Sequence, residues 1–127
     1  MEQVLEAEKL LLTVYEANKL RVPISTERIN PYIYLLRNRY EIPFYYAFRF
    51  NPLPFSEELM DDLESLRNGG NVSYGSPIKI TDKGTERIER RKANLKPLSD
   101  GIDKALDEMS RWDDKLLFQA IYNTITT

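Results

Sequence analysis

At 127 residues, with 42% hydrophobic and 30% charged side chains, the chain reads as one globular domain able to bury a core without staples. Its net charge of −2 confines any nucleic-acid affinity to a local patch, because the global field is weakly acidic. The absence of cysteine and histidine excludes disulfides, thiolate nucleophiles, structural zinc with N and S ligands and the usual neutral-pH general base.

The elements follow in chain order. Val4, Ala7, Leu11 and Val14 recur at helical spacing and predict a helix over 2–19, with Glu2, Glu6, Glu8, Lys9, Glu16 and Lys19 pointing away from the buried face. Val22-Pro23-Ile24 is a short extended break, since a proline pushes its predecessor out of the helical region. A second helix is expected from Asn30 as N-cap, with Pro31 at the first helical position. Starting it at Ser25 or Thr26 would place Pro31 inside the helix, at ~3 kcal/mol.

Phe44 to Phe50 is aromatic-rich and bounded by Pro43 and Pro52, which predicts a strand. Phe44, Tyr46, Phe48 and Phe50 would share one face. That face either packs on helices or, as in RNA-binding sheets, stacks bases; the single strand and short hairpin of this chain favour packing. Ser56 is expected to cap a third helix, with Phe55 stapled to Met60, Leu59, Leu63 and Leu66 as its buried stripe, and Gly69-Gly70 as its stop. Val72-Ser73-Tyr74 and Ile78-Lys79-Ile80 flank Gly75-Ser76, read as a two-residue hairpin turn. Thr81 or Asp82 then caps a helix over 82–93 with Ile88 as its main apolar contact.

From Leu98 the apolar positions Leu98, Ile102, Ala105, Met109, Trp112 and Leu116 step by four, three, four, three, four, a heptad seam. It predicts either one long helix or a break at Asp113, which would cap a last helix with Trp112 stapled to Leu117. The seam would bury itself in a homodimer or against the helix 2–19.

From Pro54 to Gly84 a capped helix, a Gly-Gly stop, a tight hairpin and a Thr81-Asp82-Lys83-Gly84 turn into another helix follow one another, an order that resembles the back half of a winged helix. More narrowly, Phe48, Pro54-Phe55-Ser56, Asp62-Leu63 with Leu66, Gly69-Gly70 and Ile80-Thr81-Asp82-Lys83-Gly84 resemble microbial winged-helix proteins akin to the Panacea-type antitoxin domain. Asn51-Pro52-Leu53 departs from the Tyr-Gly that this pattern carries before its Pro-Phe-Ser start, and the wing is short. The resemblance implies a mainly α fold with a small β-hairpin (α+β): a winged helix-turn-helix domain over 1–94 and a C-terminal helical extension over 95–127 serving as a dimerisation arm. The expected function is that of a non-enzymatic, transcription-regulator-like protein that touches double-stranded DNA through the stripe 79–96; the alternative is a protein-interaction module of antitoxin or adaptor type that uses the acidic helix 56–67.

Charge divides these two readings. Glu57 and Glu58 sit in the first turn of the third helix, where the helix dipole favours carboxylates by ~0.3–1 kcal/mol each. Glu57/Asp61 and Glu58/Asp62 are like-charge pairs four residues apart, each unfavourable by ~0.2–0.5 kcal/mol. They form either a solvated face, a docking face for a basic protein, or a divalent-metal or catalytic site; with Glu64 they bring five carboxylates to the helix, which disfavours its insertion into a DNA groove. Lys79, Lys83, Arg87, Arg90, Arg91, Lys92 and Lys96 are the counterweight, a stripe able to neutralise phosphates without reading bases or else a solvated face.

No run approaches ~18 apolar residues, and the first residues, Met1-Glu2-Gln3, lack a basic segment, so no membrane span and a cytoplasmic location are expected. Ser25, Ser56, Ser99 and Ser110 have no histidine to activate them, and Gly69-Gly70 is an isolated pair. No enzyme, metal or cofactor is expected.

Overall fold

The structure, a computed structural model, describes residues 4–126. Its elements are α1 (Glu6–Leu20), α2 (Ile29–Asn38), β1 (Arg49–Phe50), β2 (Pro54–Phe55), α3 (Glu57–Asn68), β3 (Val72–Ser73), β4 (Lys79–Ile80), α4 (Asp82–Glu89), α5 (Lys92–Met109) and α6 (Asp114–Thr126). The architecture is mainly helical, with two small antiparallel hairpins, β1–β2 and β3–β4.

Helix α1 is the hub. It packs against α3, α4, α5 and β4, most extensively against α5. Leu10, Leu11, Leu12, Val14 and Ala17 are all within 2% of complete burial. A helix touched on so many sides cannot keep a polar stripe in water. Glu8, Lys9 and Glu16, expected to point away from the core, are 3%, 4% and 1% exposed. Residue 2, the expected start, lies outside the described residues. The helix ends at Arg21, whose φ of 60° is left-handed. Its N–H reaches Asn18 O at 3.2 Å and the Val22 N–H reaches Ala17 O at 2.8 Å, a Schellman closure with arginine where glycine is usual.

Helix α2 begins one residue before the expected cap. Ser25 starts the turn: its Oγ accepts the Arg28 N–H at 3.2 Å and its carbonyl the Ile29 N–H at 3.0 Å. Pro31 falls third in the helix, among the residues whose N–H has no intrahelical acceptor, so the early start is not penalised. Asn30 is therefore not a cap. Buried, it turns to the start of α3 and accepts the Ser56 N–H through Oδ1 at 2.8 Å.

The aromatic stretch keeps the alternation of a strand but not its ladder. Ile42, Phe44 and Tyr46 are buried while Glu41, Pro43, Tyr45 and Ala47 are exposed, yet only Arg49–Phe50 pair, with Pro54–Phe55. With no partner strand, side chains satisfy the backbone. The Tyr45 N–H donates to Glu6 at 2.8 Å and the Ala47 N–H to Glu58 at 3.0 Å, while the Tyr46 carbonyl accepts from Arg37 at 2.6 Å.

Local chemistry sets the second hairpin. Ser56 caps α3 through Oγ to the Leu59 N–H at 3.2 Å, and Leu59, Leu63 and Leu66 form the buried stripe. Gly70 takes a φ of 77° at the stop. Val72 pairs with Ile80 and Ser73 with Lys79, which leaves residues 74–78 as a five-residue loop instead of the two-residue turn expected at Gly75-Ser76. Ile78 is drawn out of the ladder because its N–H donates to Ile24 O at 2.9 Å. Thr81 caps α4 through Oγ1 to the Gly84 N–H at 3.1 Å. A Cβ at Gly84 would stand 2.2 Å from Asn71 O, so α4 can lie this close to the hairpin only with glycine there.

The C-terminal region departs most from expectation. The helix expected over 82–93 stops at Glu89, and a new one, α5, runs from Lys92 straight through the joint expected near 94–97. Pro97 lies inside it. A proline there costs ~3 kcal/mol. Burial of Leu95, Ile102, Ala105, Leu106 and Met109 outweighs that, at ~1.5–3 kcal/mol for each large side chain. The seam then breaks as its second form predicts: Asp113 caps α6 through Oδ1 to the Leu116 N–H at 2.9 Å, and Leu117 is buried.

Candidate functional site

The outer surface of α3 carries the acidic candidates, and the fold separates them into two rows. One residue advances a helix by about 100°, so Glu58 and Asp62 form one row and Glu57 and Asp61 the next. The first row faces the aromatic segment: Glu58 holds the Ala47 N–H and Asp62 accepts the Tyr46 hydroxyl at 2.6 Å. Burial, followed by the Asp62 carboxylate, pushes the Tyr46 phenol well above its ordinary range. The second row faces solvent. Glu57 pairs with the equally exposed Arg49 at 3.0 Å, and Asp61 has no hydrogen-bond or ion-pair partner among the described residues. Further along, Glu64 pairs with Arg67 and accepts the Tyr74 hydroxyl at 3.0 Å; Arg67, then Tyr74, hold its carboxyl below the usual range.

The basic candidates do not form one free stripe. Arg91 reaches inward to Glu8 at 2.6 Å and bridges the α4–α5 turn to the buried face of α1. Lys83 donates to Gly69 O at 2.7 Å and tethers α4 to the end of α3. Arg90 pairs with Glu86, and Lys96 with Asp100 at 3.3 Å. Lys79, Arg87 and Lys92 make no ion pair among the described residues.

The seam expected to dimerise is divided. Ile102 and Ala105 are 0% exposed and Met109 is 1%, buried in the core of the same chain. For these three the second expected burial site is the one seen, since α5 packs most extensively against α1. Leu98 and Trp112 are partly buried, and Leu116 is 51% exposed on α6. On the same helix Phe118, Tyr122 and Ile125 are also about half exposed.

A further charged cluster lies between α1 and α5. The buried Glu16 carboxylate accepts the Ser99 hydroxyl at 2.9 Å and pairs with Lys19 at 2.8 Å, and the Lys19 ammonium also reaches Asp103 at 3.6 Å. Burial and the Glu16 charge push Asp103 up to about 7. Burial raises Glu16, but Asp103, Lys19 and Ser99 together outweigh it and hold its carboxyl below the usual range. The signal that could have exposed this cluster is the number of apolar residues on every side of α1, which leaves its charges no solvent face.

Comparison with protein-family models, with curated proteins and with solved structures returns no match. Among the described residues no group of three or more acidic side chains could hold a metal ion, and no helix is long and apolar enough to cross a membrane. Of the expected candidates, the described surface keeps an acidic ridge on α3, the cations Lys79, Arg87 and Lys92, and Leu116 on an apolar face of α6.

Proposed function

We propose that the chain is a non-enzymatic regulator of winged-helix type that acts by protein contact, presenting the outer row of α3 to a basic partner in the manner of an antitoxin or adaptor. The order α1, extended 22–24, α2, the small β1–β2 hairpin, α3 and the β3–β4 hairpin supports that fold, as does the bond from Ile78 to Ile24 that sets the break beside β4. The observation that carries the function is Asp61. It stands exposed beside Glu57 on the helix a winged-helix protein would offer to its target, without a compensating cation of its own. A basic partner would relieve this repulsion, and DNA would increase it.

The test is affinity capture from cell lysate with the wild-type chain and with a Glu57→Gln, Asp61→Asn variant. A captured protein with a basic contact surface, lost with the variant and at high salt, supports the proposal. Equal capture by both baits overturns it.

Lys79, Arg87 and Lys92 keep a second reading open, phosphate contact with double-stranded DNA. Fluorescence anisotropy at ~50 mM salt tests it: binding should fall with a log–log slope of roughly −0.9 per phosphate contact and vanish when these three become glutamate. A homodimer belongs to either reading, and with the α5 seam buried it would rest on Leu116, Phe118, Tyr122 and Ile125 of α6. Light scattering then gives twice the 14.9 kDa mass, and Phe118→Lys with Tyr122→Lys restores a folded monomer.

A further inference from the structure

The end of α1, the extended break and β4 enclose a groove of about 460 Å³, within the range of small-molecule sites. Ala17 and Val22, 1% and 4% exposed, form its base together with Ile80, and Pro23 and Pro77 line it from two chain segments. These walls offer almost nothing to hydrogen-bond. The prolines have no N–H. The Asn18 amide is engaged at both ends, donating to Ile78 O at 3.0 Å and accepting the Ile80 N–H at 2.7 Å. The Ile78 N–H is closed by Ile24 O. A peptide therefore cannot add here as a strand, since the edge groups it would pair with already have partners.

Two cations complete the lining. Arg21 and Lys79 are exposed, so they stand at the rim, and neither makes an ion pair among the described residues. Arg21 also holds the left-handed φ of 60° at a position where glycine is the unstrained residue.

An occupant must match an apolar interior that makes no hydrogen bonds and a rim carrying two positive charges. We propose that the groove binds an amphiphilic monocarboxylate, with its apolar body on Ala17, Val22 and Ile80 and its carboxylate between Arg21 and Lys79. The guanidinium takes the carboxylate through two N–H donors and the ammonium adds a second charge-assisted bond. The acidic row of α3 has no part in this site.

Isothermal titration calorimetry with decanoate, 3-phenylpropionate and decanol tests the proposal. At least one carboxylate should bind about tenfold or more tighter than decanol, the ratio expected when a charge-assisted pair is added to the same burial. Whether decanoate or phenylpropionate is preferred then identifies an aliphatic or an aromatic acid. Arg21→Gly with Lys79→Gln should erase that ratio. Arg21→Gly alone should weaken carboxylate binding while melting no lower than wild type, because glycine suits the left-handed backbone. Equal affinity for acid and alcohol, unchanged acid binding in the double variant, or no binding of any of the three overturns it.

Discussion

The basic stretch 79–96 and the acidic helix α3 look alike as runs of one sign, and the fold treats them differently. In the basic stretch the charges are dispersed: Arg91 turns inward to Glu8, Lys83 to the end of α3, and Arg90 and Lys96 pair with carboxylates one turn away. In α3 adjacent rows divide the work. Glu58 and Asp62 fasten the aromatic segment and Glu57 and Asp61 remain on the surface. A count of charges therefore measures neither the field a partner meets nor the charges the fold depends on. One residue of offset on a helix is enough to separate the two populations.

The largest expected effect comes from breaking the inward member of the basic stretch. Arg91→Met leaves the Glu8 carboxylate, 3% exposed, without its cation, and should lower stability by about 3 kcal/mol in chemical denaturation. Arg87→Met removes a cation without an ion pair from the same stretch and should change stability by no more than ~0.5 kcal/mol. Equal losses would end the distinction between inward and outward charge.

Asp103 sharpens the comparison through pH. Its carboxyl is pushed from an ordinary 3.8 up to about 7 by burial and by Glu16, so the folded chain binds more protons than the unfolded one across that interval. Stability should fall as pH rises from ~4 to 7 and level off above. Glu16, held low, acts with the opposite sign: its contribution is present above the ordinary carboxylate range and lost as pH falls below it. Lys19 and Ser99, the other groups facing this pair, stay charged and neutral throughout. Asp103→Asn should flatten the slope between pH 4 and 7 and raise stability at pH 8 by about 2 kcal/mol, half of the full value of such a shift because the carboxyl is partly exposed. Denaturation at several pH values reads both.

How much of this was legible in the sequence follows the range of the interactions. Ser56, Thr81, Gly69-Gly70 and Asp113 announce helix ends because a cap needs only a residue and an N–H two or three positions on. The aromatic strand failed because a ladder needs a partner that pattern alone does not supply, and side chains from α1, α2 and α3 took its place. Pro97 argues for a boundary locally and is overruled by burial further along α5. Of the candidate surfaces, the composition of α3 was plain, while its division between Asp61 and Asp62 depended on where Tyr46 comes to lie.

That division makes the finest test. Asp62→Ala removes the acceptor of a phenol that is 3% exposed at its residue, and an unsatisfied buried hydroxyl costs about 1 kcal/mol. Tyr46→Phe should cost a similar amount. The double variant should lose less than the sum, because donor and acceptor leave together. Asp61→Ala, one residue away, removes an exposed carboxylate that repels Glu57, and should leave stability within ~0.5 kcal/mol of wild type. If Asp61 instead matches Asp62, both rows are structural and the acidic ridge loses its claim to a partner. If Asp61→Ala leaves the fold intact and weakens capture of a basic protein, neighbouring carboxylates on one helix hold the chain together and present it to its target.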